Sequence, residues 1–187
     1  MMFETKAGAN IAGAEEDLVG FGTLPEATNA LLQRGVLAYR TRREEGERLF
    51  QEALSIDPSQ LPVYYCLYKI YTYQGRMVEA ENMAKAGLEE AARQAGWSQN
   101  IGQWEQPAAP LDGAPRFALY TLKALAFINL KKGNVPEARR LLGRLKALDP
   151  SGQVGWPVVL ALADALGMEK AGGRSKEARA MAVRANP

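Results

Sequence analysis

The chain has 187 residues, 47% of them hydrophobic and 24% charged, which is enough apolar material for a globular core. Its 23 Lys and Arg against 21 Asp and Glu leave a net charge of +2, too balanced for nucleic acid or an acidic membrane surface to be the main partner. There is no histidine and one cysteine, Cys66, which removes His-based metal sites, Ser-His and Cys-His nucleophile pairs and an intrachain disulfide framework, and points to a reducing compartment.

Residues 1–25 are rich in Gly and Ala and hold no period of 2 or 3.6, so a flexible arm is expected there. Its acidic–apolar patch, Glu15-Glu16-Asp17-Leu18-Val19-Gly20-Phe21, reads as disordered or as a short linear motif that docks somewhere. The arm lacks a basic n-region and an uninterrupted apolar h-region, and no apolar run approaches membrane-spanning length; a cytoplasmic location is therefore expected.

Thr28 or Asn29 is expected to cap a first helix running to about Tyr39. A second opens at Arg42-Arg43-Glu44-Glu45, carries Leu49, Phe50, Ala53 and Leu54 at helical spacing, and stops at Asp57-Pro58, because the residue before a proline is pushed out of the α region. Ser59 is expected to cap a third helix with Pro62 in its first turn; Leu61, Tyr64, Leu67, Tyr68 and Tyr71 form its stripe, and Gln74-Gly75 ends it. A fourth runs from about Met77 to Ala95. Residues 96–115, punctuated by three Gly and three Pro, read as an inserted loop. Two helices come next, between Arg116 and Asp149-Pro150, broken at Gly133. Asn134 is placed to cap the second of them, with Glu137 three residues on and Pro136 in the first turn. Trp156 to Leu166 predicts another helix, and Lys176 to Ala185 a last short one.

The strongest signal is internal repetition. Tyr64, Leu67, Tyr68, Tyr71, Gly75, Ala80 and Ala84 match Leu122, Leu125, Ala126, Asn129, Gly133, Ala138 and Leu142 in order and spacing. Ala53 to Pro58 echoes Leu145 to Pro150. Those prolines lie 92 residues apart, two 34-residue units plus an excess of 24 that the long fourth helix and the Gly/Pro loop supply.

This pattern resembles the tetratricopeptide repeat family, whose 34-residue unit places Trp or Leu, Leu-Gly, Tyr, Ala, Phe, Ala and Pro at set offsets. Phe50, Ala53 and Pro58 fill the last places of repeat one, where Gly46 stands in place of the expected Ala. Leu67, Tyr71, Gly75 and Ala80 fit repeat two; Leu125, Gly133, Ala138 and Pro150 fit repeat three; Trp156 takes the Trp place of a fourth. The resemblance implies an all-α, right-handed α-solenoid of antiparallel helix pairs. Repeats at about 27–60, 61–95 and 116–150 would be followed by a degenerate cap at 151–187, all in one domain from 26 to 187.

It further implies a concave groove lined by the first helix of each repeat. The groove-facing offsets fall on Tyr65, Lys69 and Tyr73 in repeat two and on Tyr120, Lys123, Phe127 and Lys131 in repeat three. Such a surface suits an extended or helical segment with acidic and apolar side chains; the same aromatics also suit packing between helices. The Lys/Asn/Arg clamp with which some family members grip a C-terminal carboxylate is absent, since Leu31 and Gly35 stand at its first-repeat places. Trp97 and Trp104 in the insert either pin that loop or belong to a partner surface. Arg40, Arg42 and Arg43 read as a solvated charge run, and Glu44-Glu45 and Glu89-Glu90 as solvent faces rather than catalytic dyads.

No phosphate-binding, dithiol or zinc-protease motif is spelled out, so no catalytic residue, cofactor or metal is expected. The favoured expectation is a non-enzymatic adaptor or assembly factor that binds a partner segment. The alternatives are a small bacterial secretion-type chaperone, or a self-assembling unit that dimerises through the N-terminal arm.

Overall fold

The computed structural model describes residues 23–167, and every regular element among them is helical. The expected C-terminal helix at Lys176 to Ala185, most of the degenerate cap and the acidic patch of the arm lie outside the described residues. The chain divides into two compact units whose boundary, Glu90–Ala91, falls inside a helix. No helix of the described residues is long and apolar enough to cross a membrane.

In the first unit, α1 (Glu26–Thr41) and α2 (Arg43–Ile56) are joined by a single residue, Arg42. A Cβ added at Gly46 would meet Tyr39, and one added at Gly35 would meet the Phe50 ring. Four residues back along α1 therefore correspond to four residues forward along α2, so the two helices run antiparallel. α2 also packs on α3 (Leu61–Tyr73). The start of α1 differs from expectation. Pro25, not Thr28 or Asn29, is the N-cap residue, and its carbonyl accepts the Asn29 N–H at 2.9 Å. Thr28 is thereby drawn into the first turn and buried. Ser59 does not cap α3 either. Gln60 holds that position, while the Ser59 N–H and hydroxyl both donate to Asp57 Oδ1, at 3.0 and 2.6 Å. The Ser59 hydroxyl, the Gln60 amide and the Ser59 N–H hold the Asp57 carboxyl below the usual carboxylate range.

Gly75 ends α3 at φ +76°, with the Gly75 N–H bonded to the Thr72 carbonyl and the Arg76 N–H to the Tyr71 carbonyl. This Schellman closure requires a left-handed residue, which glycine supplies without a steric penalty. α4 (Met77–Gln94) then turns back over α3, and Gly87 lies so close to Tyr64 that an added Cβ would stand 2.7 Å from the Tyr64 Cβ. Arg76 ties the corner to α2: it bonds Glu47 at 2.7 Å and Glu79 at 2.9 Å, with its guanidinium 4.4 Å from the Tyr71 ring centre. Cys66 is buried in α3, and burial pushes its thiol up to about 12. The folded protein should therefore leave an aromatic disulfide reagent unreacted at pH 8, and release one equivalent of thiol only on adding denaturant. Prompt release in buffer would contradict this packing.

The second unit holds α5 (Gly113–Lys131), α6 (Val135–Leu148) and a helix over residues 156–167, α7. α5 packs on α6, and Leu119, Leu122, Ala138, Leu142 and Leu145 on these two helices are all at most 1% exposed. Gly133 closes α5 as Gly75 closes α3: its N–H bonds Leu130, and the Asn134 N–H bonds Asn129 at 2.8 Å. Asn134 then caps α6 by accepting the Glu137 N–H, as its spacing predicted. α5 begins three residues earlier than expected, at Gly113.

The inserted stretch is ordered by its own aromatics. Trp97 and Trp104 lie with ring centres 4.7 Å apart, Trp104 is buried, and its indole N–H donates to the Ser98 carbonyl at 2.6 Å. Arg144 on α6 donates to the Ile101 carbonyl at 2.9 Å and to the Trp104 carbonyl, fastening the loop to that helix.

Candidate functional site

α3 and α5 have no aspartate or glutamate in their entire length, although α3 carries one lysine, α5 carries two, and both carry several aromatics. On the other helices several cations pair with carboxylates: Arg48 with Glu45 and Glu52, Lys85 with Glu81, Arg140 with Glu137. On α3 and α5 the lysines lie on rings instead.

On α3, Lys69 Nζ is 5.0 Å from the Tyr65 ring centre and 5.8 Å from that of Tyr73, and it donates to the Tyr65 hydroxyl at 2.9 Å. The four-residue spacing along one helical stripe produces this stack. Tyr73 is 71% exposed. Tyr65 is only 9% exposed, its ring edge against Tyr68 at 5.5 Å, so it supports Lys69 more than it offers area to a guest.

On α5, Tyr120, Lys123, Phe127 and Lys131 form one solvent-reaching stripe. Lys131 Nζ stands 5.5 Å from the Phe127 ring centre and is exposed. Lys123 Nζ stands 3.9 Å from the Tyr120 ring centre and donates to the Val154 carbonyl at 2.6 Å. It is half-buried, and that desolvation pushes its ammonium down to about 8. None of Lys69, Lys123 and Lys131 has a carboxylate within ion-pair distance among the described residues.

The residues that hold Val154 in place are absent from the sequence-based set. Asp149, 3% exposed, accepts the Gln153 and Val154 N–H groups at 3.0 and 2.9 Å and the Ser151 hydroxyl at 3.2 Å. Its carbonyl accepts the Trp156 indole N–H at 2.8 Å. One signal was available: Asp-Pro-Ser occurs twice, at 57–59 and 149–151, and in both copies the serine hydroxyl bonds the aspartate. Of the two tryptophans offered as a secondary surface, Trp104 is an internal anchor and only Trp97 is part-exposed.

A shallow hollow of about 610 Å³ lies at the α1–α2 corner, lined by Arg42, Arg43, Glu44, Glu45 and Arg48. Its mixed charges, with Glu45 already bound to Arg48, give it no defined preference. Among the described residues no three His, Cys, Asp or Glu side chains gather where they could hold a metal ion.

Searches of protein-family models, of curated proteins and of solved structures return no match to this chain.

Proposed function

We propose that this chain is a tetratricopeptide-like helical-repeat module that binds a polypeptide segment of acidic and apolar character and performs no chemistry of its own. The observation that carries it is the charge segregation: α3 and α5 display lysines on aromatic rings and no carboxylate anywhere along them. A cation left on a ring keeps unused hydrogen-bond donors, and the ring beside it supplies apolar area, so an acidic side chain flanked by apolar ones satisfies both. The matched glycine closures after α3 and α5 support the repeat reading, since both corners are built from the same hydrogen bonds.

A short capped peptide in which Glu and Leu alternate, separated by Ala, is a suitable probe for the full chain. Lys69→Glu and Lys131→Glu, each tested by itself on its own stripe, should each weaken peptide binding severalfold, read by fluorescence anisotropy, because exposed charges govern encounter and rim pairing. Both side chains reach solvent and lack carboxylate partners, so the thermal midpoint should scarcely move. Unaltered affinity in both single variants would defeat the proposal.

A further inference from the structure

Lys123 differs from the other lysines of the two stripes in how it is held. Lys131 ends on an exposed stem, whereas Lys123 Nζ is fixed between the Val154 carbonyl, at 2.6 Å, and the Tyr120 ring. The carbonyl does not drift, because the same residue's N–H is bonded to the buried Asp149 carboxylate. The next residue, Gly155, has φ +75°, and a Cβ placed there would stand 3.7 Å from Nζ, so the missing side chain leaves that flank open. An ammonium has three N–H donors. One goes to Val154 and a ring face takes another direction, and no second oxygen bonds the ammonium among the described residues.

The ionisable groups around it do not compensate the charge. The Tyr120 phenol lies beneath it on α5, and Lys131 lies two turns further along. The Asp149 carboxylate is turned onto the N–H groups of its own loop. Here a cation is kept half-desolvated and positioned with no anion beside it among the described residues, a state a protein favours only weakly on its own.

We infer that Lys123 Nζ, braced by the Val154 carbonyl and the Tyr120 ring, is the preformed seat for one carboxylate of the bound segment. This rests on the acidic-partner function proposed above. The stripe also selects the guest residues beyond that carboxylate. Phe127 lies one turn past Lys123, about 6 Å along the axis, which matches two residues of an extended chain. The guest therefore reads Asp or Glu, any residue, then a large apolar residue; Lys131, about 6 Å further on, accepts a second acidic group at the same spacing. The seat is formed before the guest arrives, so little ordering is left to oppose binding. A docked carboxylate also stabilises the charged amine, so the complex takes up a proton at alkaline pH.

The test uses the full chain with ¹³C-labelled lysine and three peptides: the capped Glu/Leu/Ala peptide, its capped Gln counterpart, and the Gln counterpart with a free C-terminal carboxylate. The Lys123 side-chain signals are titrated with and without each peptide, and affinity is read at pH 7 and pH 9.5. With the capped Glu peptide, Lys123 should move from about 8 toward its ordinary 10.5. Binding should then be roughly 25-fold weaker at pH 9.5 than at pH 7, a dependence lost in Lys123→Met. The capped Gln peptide should leave Lys123 in place. Movement with the free-carboxylate Gln peptide would assign the seat to a chain terminus, and movement with the capped Glu peptide alone to a side chain. If the Glu peptide binds while Lys123 titrates unchanged, the seat is refuted and the acidic-partner function stands. If the peptide does not bind at all, both fall. The titration is read on the unaltered protein, so a poorly folded Lys123→Met would not spare the inference.

Discussion

Asp149→Ala should destabilise the protein by about 3 kcal/mol. The substitution strips the acceptor from two backbone N–H groups, those of Gln153 and Val154, and from the Ser151 hydroxyl. Each buried donor left unmatched costs about 1–3 kcal/mol, and bonds to a charged acceptor lie at the upper end. The Val154 N–H is fully enclosed, so water does not replace the lost partner cheaply. Asp57→Ala is the natural control. Its carboxylate bonds the equivalent serine, but the residue is half-exposed and water can take over, so about 1 kcal/mol is expected. Denaturant titrations would give the two values, and amide exchange at Val154 should accelerate strongly in the Asp149 variant alone. A loss under about 0.5 kcal/mol for Asp149→Ala would mean that its loop is not held as described.

Gly46→Ala and Gly143→Ala should move stability in opposite directions. Both glycines lie inside helices, where alanine is intrinsically better by about 1 kcal/mol. At Gly143 a new Cβ finds nothing within 4 Å, so that gain should appear in full. At Gly46 the new Cβ would stand 2.7 Å from the Tyr39 Cβ, 2.8 Å from the Tyr39 Cα and 2.9 Å from the Gly35 carbonyl oxygen. Two of these three are backbone atoms, which retreat only if α1 itself lifts away from α2. Because backbone meets backbone here, the overpacking cost lies at the upper end of about 1–3 kcal/mol, and subtracting the propensity gain of about 1 leaves a net loss of about 1–2 kcal/mol. The tetratricopeptide pattern carries alanine at the Gly46 place, so the resemblance alone implies the opposite result. A Gly46→Ala protein at least as stable as the parent would show that α1 and α2 approach less closely than their contacts here require.

Helix positions and their stops could be read from residue spacing. Gly75 and Gly133, the Asp-Pro pairs and Asn134 with Glu137 are local devices whose chemistry acts within a few residues, and they act where they were expected to. The starts of α1 and α3 were less legible, because several residues near each start can cap it. Pro25 took the first, leaving Thr28 to be buried, and at the second Asp57 gathered Ser59 and Gln60 around itself. The aromatic and lysine stripes on α3 and α5 were also legible, since residues three and four apart on a helix share a face wherever that helix is placed.

What each lysine touches was not legible. Val154 lies 31 residues beyond Lys123, and no local pattern links them; only the folding of 149–156 around a buried carboxylate brings that carbonyl to the ammonium. The fastening of the Trp97–Trp104 insert to α6 likewise depends on Arg144, some forty residues downstream. Amphipathic spacing and chain-breaking residues carry helix identity in the local sequence, because those forces have a range of one or two turns. Whether Tyr65 is wall or surface, how closely Gly46 lets two helices meet, and which amine is held without an anion are set by distant segments converging, which packing alone decides.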